Sequence, residues 1–253
     1  MLKARVIPSL MLKGNRLVKT VKYDNDLYIG DPLNAIRIFN EKEVDELIIL
    51  DILASTESKG PPIKLIREIA SECFMPLCYG GGIRSIEDIS EILNAGVEKV
   101  AINTHAIENP QFVKMAAEAF GSQSIVISLD VKINKKGRYE VFTRRGKQPT
   151  GLDTIDWVIL MQEMGAGEII LNAIDRDGTL QGYDIDLIRA VTSAVSIPVI
   201  ASGGAGNLSH LVEAIDYGGA SAVAVGSMFV LHGKHRAVLI SYPSPQELGV
   251  IGI

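Results

Sequence analysis

The chain has 253 residues, of which 47% are hydrophobic, 22% charged and 6% aromatic, and its formal net charge is −5. A chain of this size buries enough surface to fold without disulfides or a structural metal, and its acidic balance argues against nucleic acid as a ligand. The two cysteines lie in apolar surroundings, and the sequence shows neither a signal peptide nor a membrane span, which favours a cytoplasmic protein.

Eight short, mostly apolar runs recur along the chain and are predicted to be strands. They are Arg5 to Leu10, Glu46 to Asp51, Met75 to Tyr79, Lys99 to Ile102, Ile125 to Asp130, Glu168 to Asn172, Pro198 to Ala201 and Ala222 to Val225. Runs that are apolar at nearly every position are typical of parallel strands buried on both faces.

Segments with helical spacing follow these strands. They are Asp31 to Glu43, Pro62 to Glu72, Ser85 to Asn94, Asn109 to Phe120, Asp153 to Met164, Asp184 to Val195 and Leu208 to Tyr217. Regular alternation of strand and helix predicts an α/β fold, a single (β/α)8 TIM barrel over residues 1–253, rather than two domains.

The two halves of the chain resemble each other at a fixed offset. Pro76 corresponds to Pro198, and Gly81 corresponds to Gly203. An offset of nearly half the chain predicts a half-barrel repeat, so a site in one half is expected to have a counterpart in the other. An elongated ligand with two similar groups would match such a pair of sites.

Glycine runs follow the third and seventh predicted strands, at the end of a barrel where functional residues lie. Glycine lets backbone N–H groups approach an anion, and a helix N-terminus adds partial positive charge. The residues predicted to bind phosphate are Gly81, Gly82, Asn103 and Thr104 in one half, and Gly203, Gly204, Gly226 and Ser227 in the other. The pairing favours a ligand with two phosphates over glycines that only form tight turns.

Charged residues near the strand ends are candidates for catalysis. Asp130 is predicted to transfer protons, and Lys19 to neutralise a phosphate or polarise a carbonyl group. Asp51 as a catalytic residue and Asp175 as a substrate-binding residue are each balanced against a structural role. Asp177 either shapes its turn or contacts a ligand.

The histidines near the C-terminus do not indicate a metal site. His232 and His235 lie among basic residues with no neighbouring cysteine or carboxylate, which suits an anion or a partner better than a metal. Neither a metal nor a cofactor is predicted. The basic segments Lys132 to Arg138 and Arg144 to Lys147 are predicted to form a hairpin after the fifth strand.

From Arg5 to Met228 the sequence resembles the HisF family, the cyclase subunits of imidazole glycerol phosphate synthase. The matching motifs include Gly30-Asp-Pro32, Gly80-Gly-Gly-Ile-Arg84, Phe120-Gly-Ser-Gln123, Asp175-Arg-Asp-Gly-Thr179 and Ile200-Ala-Ser-Gly-Gly-Ala-Gly206. The resemblance implies a HisH-like glutaminase partner, whose ammonia travels through the barrel to a ribulosyl substrate with two phosphates. It also implies an ammonia gate of Arg5, Glu46, Lys99 and Glu168 at the N-terminal ends of their strands. A ring of salt bridges that only seals the barrel is the alternative.

One position departs from the family. HisF proteins use two symmetry-related aspartates, at the ends of strands one and five; here Asp130 is present, but Met11 stands where its partner would be. Methionine cannot transfer a proton, and loss of half an acid/base pair commonly costs about 10² to 10⁴ in rate. The departure therefore argues against the cyclase reaction.

Several stretches, above all Met228 to Pro243, resemble HisF-related proteins of bacterial surface-polysaccharide clusters. This resemblance implies an enzyme subunit that uses ammonia to amidinate an acetamido sugar, working with a glutaminase and an ATP-dependent amidotransferase-like protein. The substrate would be a phosphorylated sugar or a nucleotide-linked one. Two alternatives stay open: the cyclase subunit of histidine biosynthesis, and a non-catalytic subunit that binds a glutaminase and channels ammonia.

Overall fold

Parallel strands close into a barrel in the computed structural model, which describes residues 4–54, 56–57 and 59–250. The strands are β1 (Arg5–Lys13), β2 (Arg16–Val21), β3 (Asp24–Gly30), β4 (Leu47–Asp51), β5 (Leu77–Gly80), β6 (Lys99–Ile102), β7 (Ile125–Ile133), β8 (Tyr139–Thr143), β9 (Gln148–Asp153), β10 (Glu168–Ala173), β11 (Val199–Ser202), β12 (Ala222–Val225), β13 (Leu231–His232) and β14 (Ala237–Val238). The barrel order is β1, β4, β5, β6, β7, β10, β11 and β12, and β12 pairs with β1 to close it. The predicted (β/α)8 barrel is confirmed.

Helices connect the barrel strands and cover their outer faces. They are α1 (Pro32–Glu41), α2 (Ile63–Glu72), α3 (Ile86–Asn94), α4 (Thr104–Glu108), α5 (Pro110–Phe120), α6 (Thr154–Glu163), α7 (Ile185–Ala194), α8 (Leu208–Asp216), α9 (Ser227–Val230) and α10 (Pro245–Val250). Several predicted starts are N-cap residues, because Asp31, Ser85, Asp153 and Asp184 each accept a backbone N–H of the first turn. In the described part of the chain, none of the helices has the length and apolar character needed to cross a membrane.

Antiparallel hairpins extend from the mouth of the barrel. β2 and β3 form a hairpin beside β1, and β8 and β9 continue from β7. The second of these is the basic hairpin expected after the fifth strand. The β2–β3 hairpin was not predicted, and Lys19, expected in a connection after the first strand, lies within β2.

The interior of the barrel is apolar. Side chains from all eight barrel strands fill it, namely Ile7, Ile48, Cys78, Ala101, Val126, Ile170, Ile200, Ala222 and Ala224. The larger second core lies between barrel and helices and includes Trp157, which packs as expected. Cys78 is a fully buried free thiol, whereas Cys73 is only partly buried.

The strand register supports the half-barrel repeat at the level of single residues. Met11 of β1 lies opposite Leu50 of β4, and Asp130 of β7 lies opposite Asn172 of β10. Leu50 and Asn172 are separated by the same offset that relates Pro76 to Pro198. Met11 and Asp130 therefore occupy equivalent places in the two halves.

Candidate functional site

Two cavities open at the C-terminal ends of the barrel strands and share a wall of Met11, Tyr23 and Leu50. Around the first cavity lie Asp51, Gly81, Gly82, Asn103, Thr104 and Asp130. Around the second lie Lys19, Gly203, Gly204, Gly226 and Ser227, together with Asn172 and Asp177. The structure thus brings together, in two symmetry-related groups, every residue predicted for catalysis or phosphate binding except Asp175.

Asp175 faces away from both groups. Its carboxylate accepts the backbone N–H of Ile133 at 3.2 Å, and it is not among the residues that line the two cavities. Asp177 lines the second cavity instead, is almost fully buried and accepts the Thr20 hydroxyl at 2.6 Å. The short 3-10 turn Ile174–Arg176 directs the two side chains differently.

The glycine loop of the first cavity packs directly on Asp51. A Cβ atom on Gly81, whose φ is +129°, would lie 2.7 Å from the Asp51 carbonyl oxygen. The Asp51 carboxylate accepts the N–H groups of Leu53 and Ala54 at 2.9 and 3.2 Å, and burial raises its pKa. Asp51 therefore shapes the loop that carries the cradle as well as lining the cavity.

The helix termini best placed for an anion are not those directly after the glycine runs. Side chains of Ser85 and Asn207 already cap α3 and α8, whereas α4 and α9 begin without a side-chain cap. These two short helices start at Thr104 and Ser227, the second half of each predicted cradle. Their first backbone N–H groups are available to phosphate oxygens.

Lys19 lies over the second cradle. It is only 4% exposed, and its ammonium nitrogen would be 2.1 Å from a Cβ atom on Gly226. Burial lowers the pKa of Lys19 to about 8, while the nearby charge of Asp177 acts in the opposite direction. Within the described residues the Lys19 ammonium makes no salt bridge or hydrogen bond, so its charge is available to an anion.

We expect anion binding in the second cavity to weaken as pH rises through about 8, because Lys19 then loses its proton. Calorimetric titration with a sugar bis-phosphate from pH 7 to pH 9 would measure the change, with about a tenfold loss of affinity across the range. Lys19→Met should bind weakly at both ends of the range and lose the pH dependence.

Two further variants test whether Lys19 causes the pH dependence of anion binding. Lys22→Met, at an exposed position of the same hairpin, should retain the wild-type pH dependence. Gly226→Ala should mimic Lys19→Met, because the new methyl group displaces a flexible ammonium group rather than backbone. An unchanged pH dependence in Lys19→Met would contradict the assignment of this lysine to the anion site.

Asp130 occupies the base of the mouth and is 6% exposed. Its carboxylate accepts the Tyr23 hydroxyl at 2.7 Å, the Asn103 amide at 2.9 Å and the Asn172 amide at 3.1 Å. Burial raises the pKa of Asp130 to about 6, although these three hydrogen bonds favour the ionised form. A carboxylate that titrates near neutral pH is well suited to accept a proton.

The symmetry-related position is apolar. Met11 is buried beside Leu50, and the Thr20 hydroxyl lies 3.5 Å from its sulfur. One half of the mouth therefore presents a carboxylate beside an amide, and the other presents a thioether beside a leucine.

Four charged side chains close the opposite end of the barrel. Arg5 contacts both Glu46 and Glu168, and Lys99 lies 3.0 Å from Glu46 and 2.9 Å from Glu168. The glutamates are buried and each touches both cations, which raises the pKa of Arg5 and Lys99 despite their desolvation. The four side chains thus form a ring of ion pairs at the N-terminal end of the barrel.

The β2–β3 hairpin contributes residues that the sequence did not single out. Tyr23 contacts Asp130, while Arg145 of the β8–β9 turn donates to Asp26 at 2.8 Å and to the Tyr23 carbonyl at 3.4 Å. The hairpin and the basic turn therefore meet over the mouth. Within the described ranges, no group of three or more His, Cys, Asp or Glu residues could hold a metal.

A family match and three relatives with HisF names were found by comparison with known proteins. Residues 5–236 match the family described as histidine biosynthesis protein. The chain is 51% identical over 250 residues to the Pseudomonas aeruginosa protein named "Putative imidazole glycerol phosphate synthase subunit hisF2", with 99% of this chain and 100% of the relative covered. A Leptospira borgpetersenii HisF protein of similar name is 50% identical over 245 residues, covering 96% of each chain, and a Vibrio vulnificus hisF3 protein is 48% identical over 248 residues, covering 98% and 95%.

Proposed function

The chain belongs to the histidine biosynthesis protein family as a HisF-like barrel, and from this we propose that it is the ammonia-accepting subunit of a glutamine-dependent synthase. In this proposal a cytoplasmic HisH-like glutaminase docks at the end of the barrel closed by Arg5, Glu46, Lys99 and Glu168. The relatives' names describe them as synthase subunits, which agrees with a protein that works in a complex.

The apolar interior between the charged ring and the mouth supports transfer of ammonia. Ala101, Ala222 and Ala224 place small side chains inside the barrel, and Ser9 and Ser128 lie on the strands just below the mouth. Neutral ammonia crosses an apolar interior more easily than ammonium because it carries no charge to desolvate. The ring would exclude cations and pass the neutral molecule when it opens.

For the reaction we propose amidination of an acetamido sugar of a surface polysaccharide. An ATP-dependent partner would activate the acetamido oxygen as a phosphate or adenylate ester, and ammonia would attack the carbon. The carbon–nitrogen bond forms, the carbon–oxygen bond breaks, and the activated oxygen leaves with its phosphate or AMP. Asp130 would accept a proton from the attacking nitrogen, which requires one carboxylate rather than two.

The observation that carries this proposal is the contrast between the two halves of the mouth. The cradles and the charged ring agree with a phosphate-binding, ammonia-using barrel, but Met11 and Leu50 stand where the other half has Asp130 and Asn172. Ammonia delivery needs the ring and the interior, whereas ring closure to an imidazole relies on both acid/base groups.

The direct test combines the barrel, its glutaminase and the ATP-using partner with glutamine and a nucleotide-linked acetamido sugar. Mass spectrometry should detect replacement of one oxygen by NH in the sugar, and omission of any one protein should abolish it. No glutamine-dependent product from the complete mixture would reject the amidination reaction.

A cyclase of histidine biosynthesis is the second candidate, favoured by the two matching cradles, which suit the two phosphates of a ribulosyl substrate. With ammonium chloride as nitrogen source, we expect the wild-type barrel to give no imidazole product. Met11→Asp should raise the rate of imidazole formation at least about 10²-fold above the wild-type background. Spectroscopic assay of the ribulosyl intermediate measures both. Met11→Asn is the matched control, because asparagine has a shape similar to aspartate but cannot transfer a proton. Wild-type turnover at the rate of Met11→Asp would favour the cyclase.

A further inference from the structure

Tyr23 is the one side chain of the β2–β3 hairpin that reaches Asp130. Its hydroxyl donates to the Asp130 carboxylate at 2.7 Å, and its ring stands in the wall between the two cavities, beside Met11 and Leu50. The strand that is symmetry-related to β7 offers Asp130 no polar partner, because Met11 occupies the equivalent place. The phenol is thus the polar group that the hairpin supplies at this point.

The backbone around Tyr23 is held in an unfavourable conformation. Tyr23 has φ of +63°, a left-handed value that is rare and strained for an aromatic residue. Asp177 fixes it there by accepting the Tyr23 N–H at 3.2 Å and the Thr20 hydroxyl at 2.6 Å, while its carbonyl accepts the Lys22 N–H at 2.9 Å. These three hydrogen bonds to Asp177 hold the turn against the barrel and keep Tyr23 beside Asp130.

We infer that Tyr23 is a positioning residue for Asp130, whose hydroxyl orients the carboxylate toward the first cavity and stabilises its ionised form. This role rests on the proposed use of Asp130 as a proton acceptor. The hydrogen bond from Tyr23 fixes the surroundings of Asp130, as a second carboxylate at the mouth would. Tyr23 lies in the turn of the β2–β3 hairpin, however, and not on a barrel strand.

The groups around Asp130 determine how its pKa should change when the Tyr23 hydroxyl is removed. Asp177, in the loop after β10, raises the pKa of Asp130, while Asn103, directly after β6, and Asn172 of β10 donate neutral hydrogen bonds to it. Lys19 faces Asp177, and Arg145 faces Tyr23. Tyr23→Phe removes one donor to the ionised carboxylate and leaves these neighbours in place, so the pKa of Asp130 should rise further.

Carbon-13 NMR of protein labelled at aspartate carboxyl groups measures this directly, and Asp130→Asn identifies the signal. We expect the wild-type signal to titrate near 6 and the Tyr23→Phe signal about one pH unit higher. Tyr28→Phe, which changes a tyrosine of the same hairpin that is 57% exposed, is the matched control and should leave the titration unchanged. Identical titrations in wild type and Tyr23→Phe would overturn the inference.

The NMR readout needs no substrate, so it separates this inference from the proposed reaction. A shifted titration together with no product in the complete mixture would retain Tyr23 as the residue that positions Asp130 and reject amidination. Where product forms, the acidic limb of kcat should move upward in Tyr23→Phe by the same amount as the NMR titration, with little change in KM. A product-forming enzyme whose acidic limb stays in place would reject the functional role of Tyr23.

Discussion

Asp130→Asn is expected to reduce ammonia-dependent product formation by about 10² to 10⁴-fold, because the amide cannot accept a proton from the attacking nitrogen. In the wild type, kcat should rise as pH passes through about 6, where Asp130 ionises. The assay uses ammonium chloride at constant free ammonia, so that the pH dependence reports the protein rather than the supply of the nucleophile.

Folding of this variant should survive. The pKa of Asp130 is higher in the folded protein than in an unfolded chain, so folding is favoured at low pH and loses that stabilisation as pH rises through about 6. Asparagine stays neutral, and we expect the free energy of unfolding at pH 8 to fall by no more than about 1 kcal/mol. Urea denaturation measures it.

The matched control is Asp186→Asn on α7, whose side chain is 89% exposed and 3.9 Å from Arg189. It should leave the rate unchanged. Full activity of Asp130→Asn in the complete complex would favour the alternative of a non-catalytic subunit that binds the glutaminase and channels its ammonia.

Glu168→Gln should cause the largest loss of stability, about 3 kcal/mol, because it leaves Arg5 and Lys99 beside a single remaining glutamate. Both cations are partly exposed, so solvent limits the penalty to the lower end of the range for a broken buried pair. Urea denaturation gives the free energy of unfolding. In the complex, glutamine hydrolysis should exceed product formation as ammonia escapes.

A second substitution separates charge balance from gating. Glu168→Gln combined with Lys99→Met removes one charge of each sign and leaves Arg5 paired with Glu46. This double variant should recover most of the lost stability while ammonia still escapes. If stability and ammonia retention recover together, the ring is a structural seal rather than a gate.

The barrel could be predicted from the sequence because its strands are buried on both faces and its helices are amphipathic. The observed strands Lys99–Ile102 and Ala222–Val225 have the predicted bounds, and the ends of the other barrel strands differ from prediction by at most three residues. The hairpin Arg16–Gly30 was missed because β3 is largely exposed and β2 directs the polar side chains of Lys19 and Thr20 inward. Its apolar pattern is therefore not that of a core strand.

Most of the candidate site could also be predicted, because strand ends and glycine loops mark the mouth of a barrel. The roles of Tyr23 and Asp177 could not, since they depend on contacts between residues more than 100 positions apart. Nothing in the local sequence distinguishes Asp175 from Asp177 either. A turn of three residues decides which carboxylate reaches the cavity.

The pairing of Met11 with Leu50 has a consequence for how a ligand enters. A barrel of two like halves presents the same outline twice, so a molecule with an anionic group at each end could bind in either direction. Reversal would bring its reacting polar group against a thioether instead of Asp130, and a buried polar group left unpaired costs about 1 to 3 kcal/mol. That difference corresponds to a preference of about 5- to 150-fold for one direction. The difference between Met11 and Asp130 thus gives the pseudo-symmetric cavity two ends of different polarity, and so one preferred direction of binding.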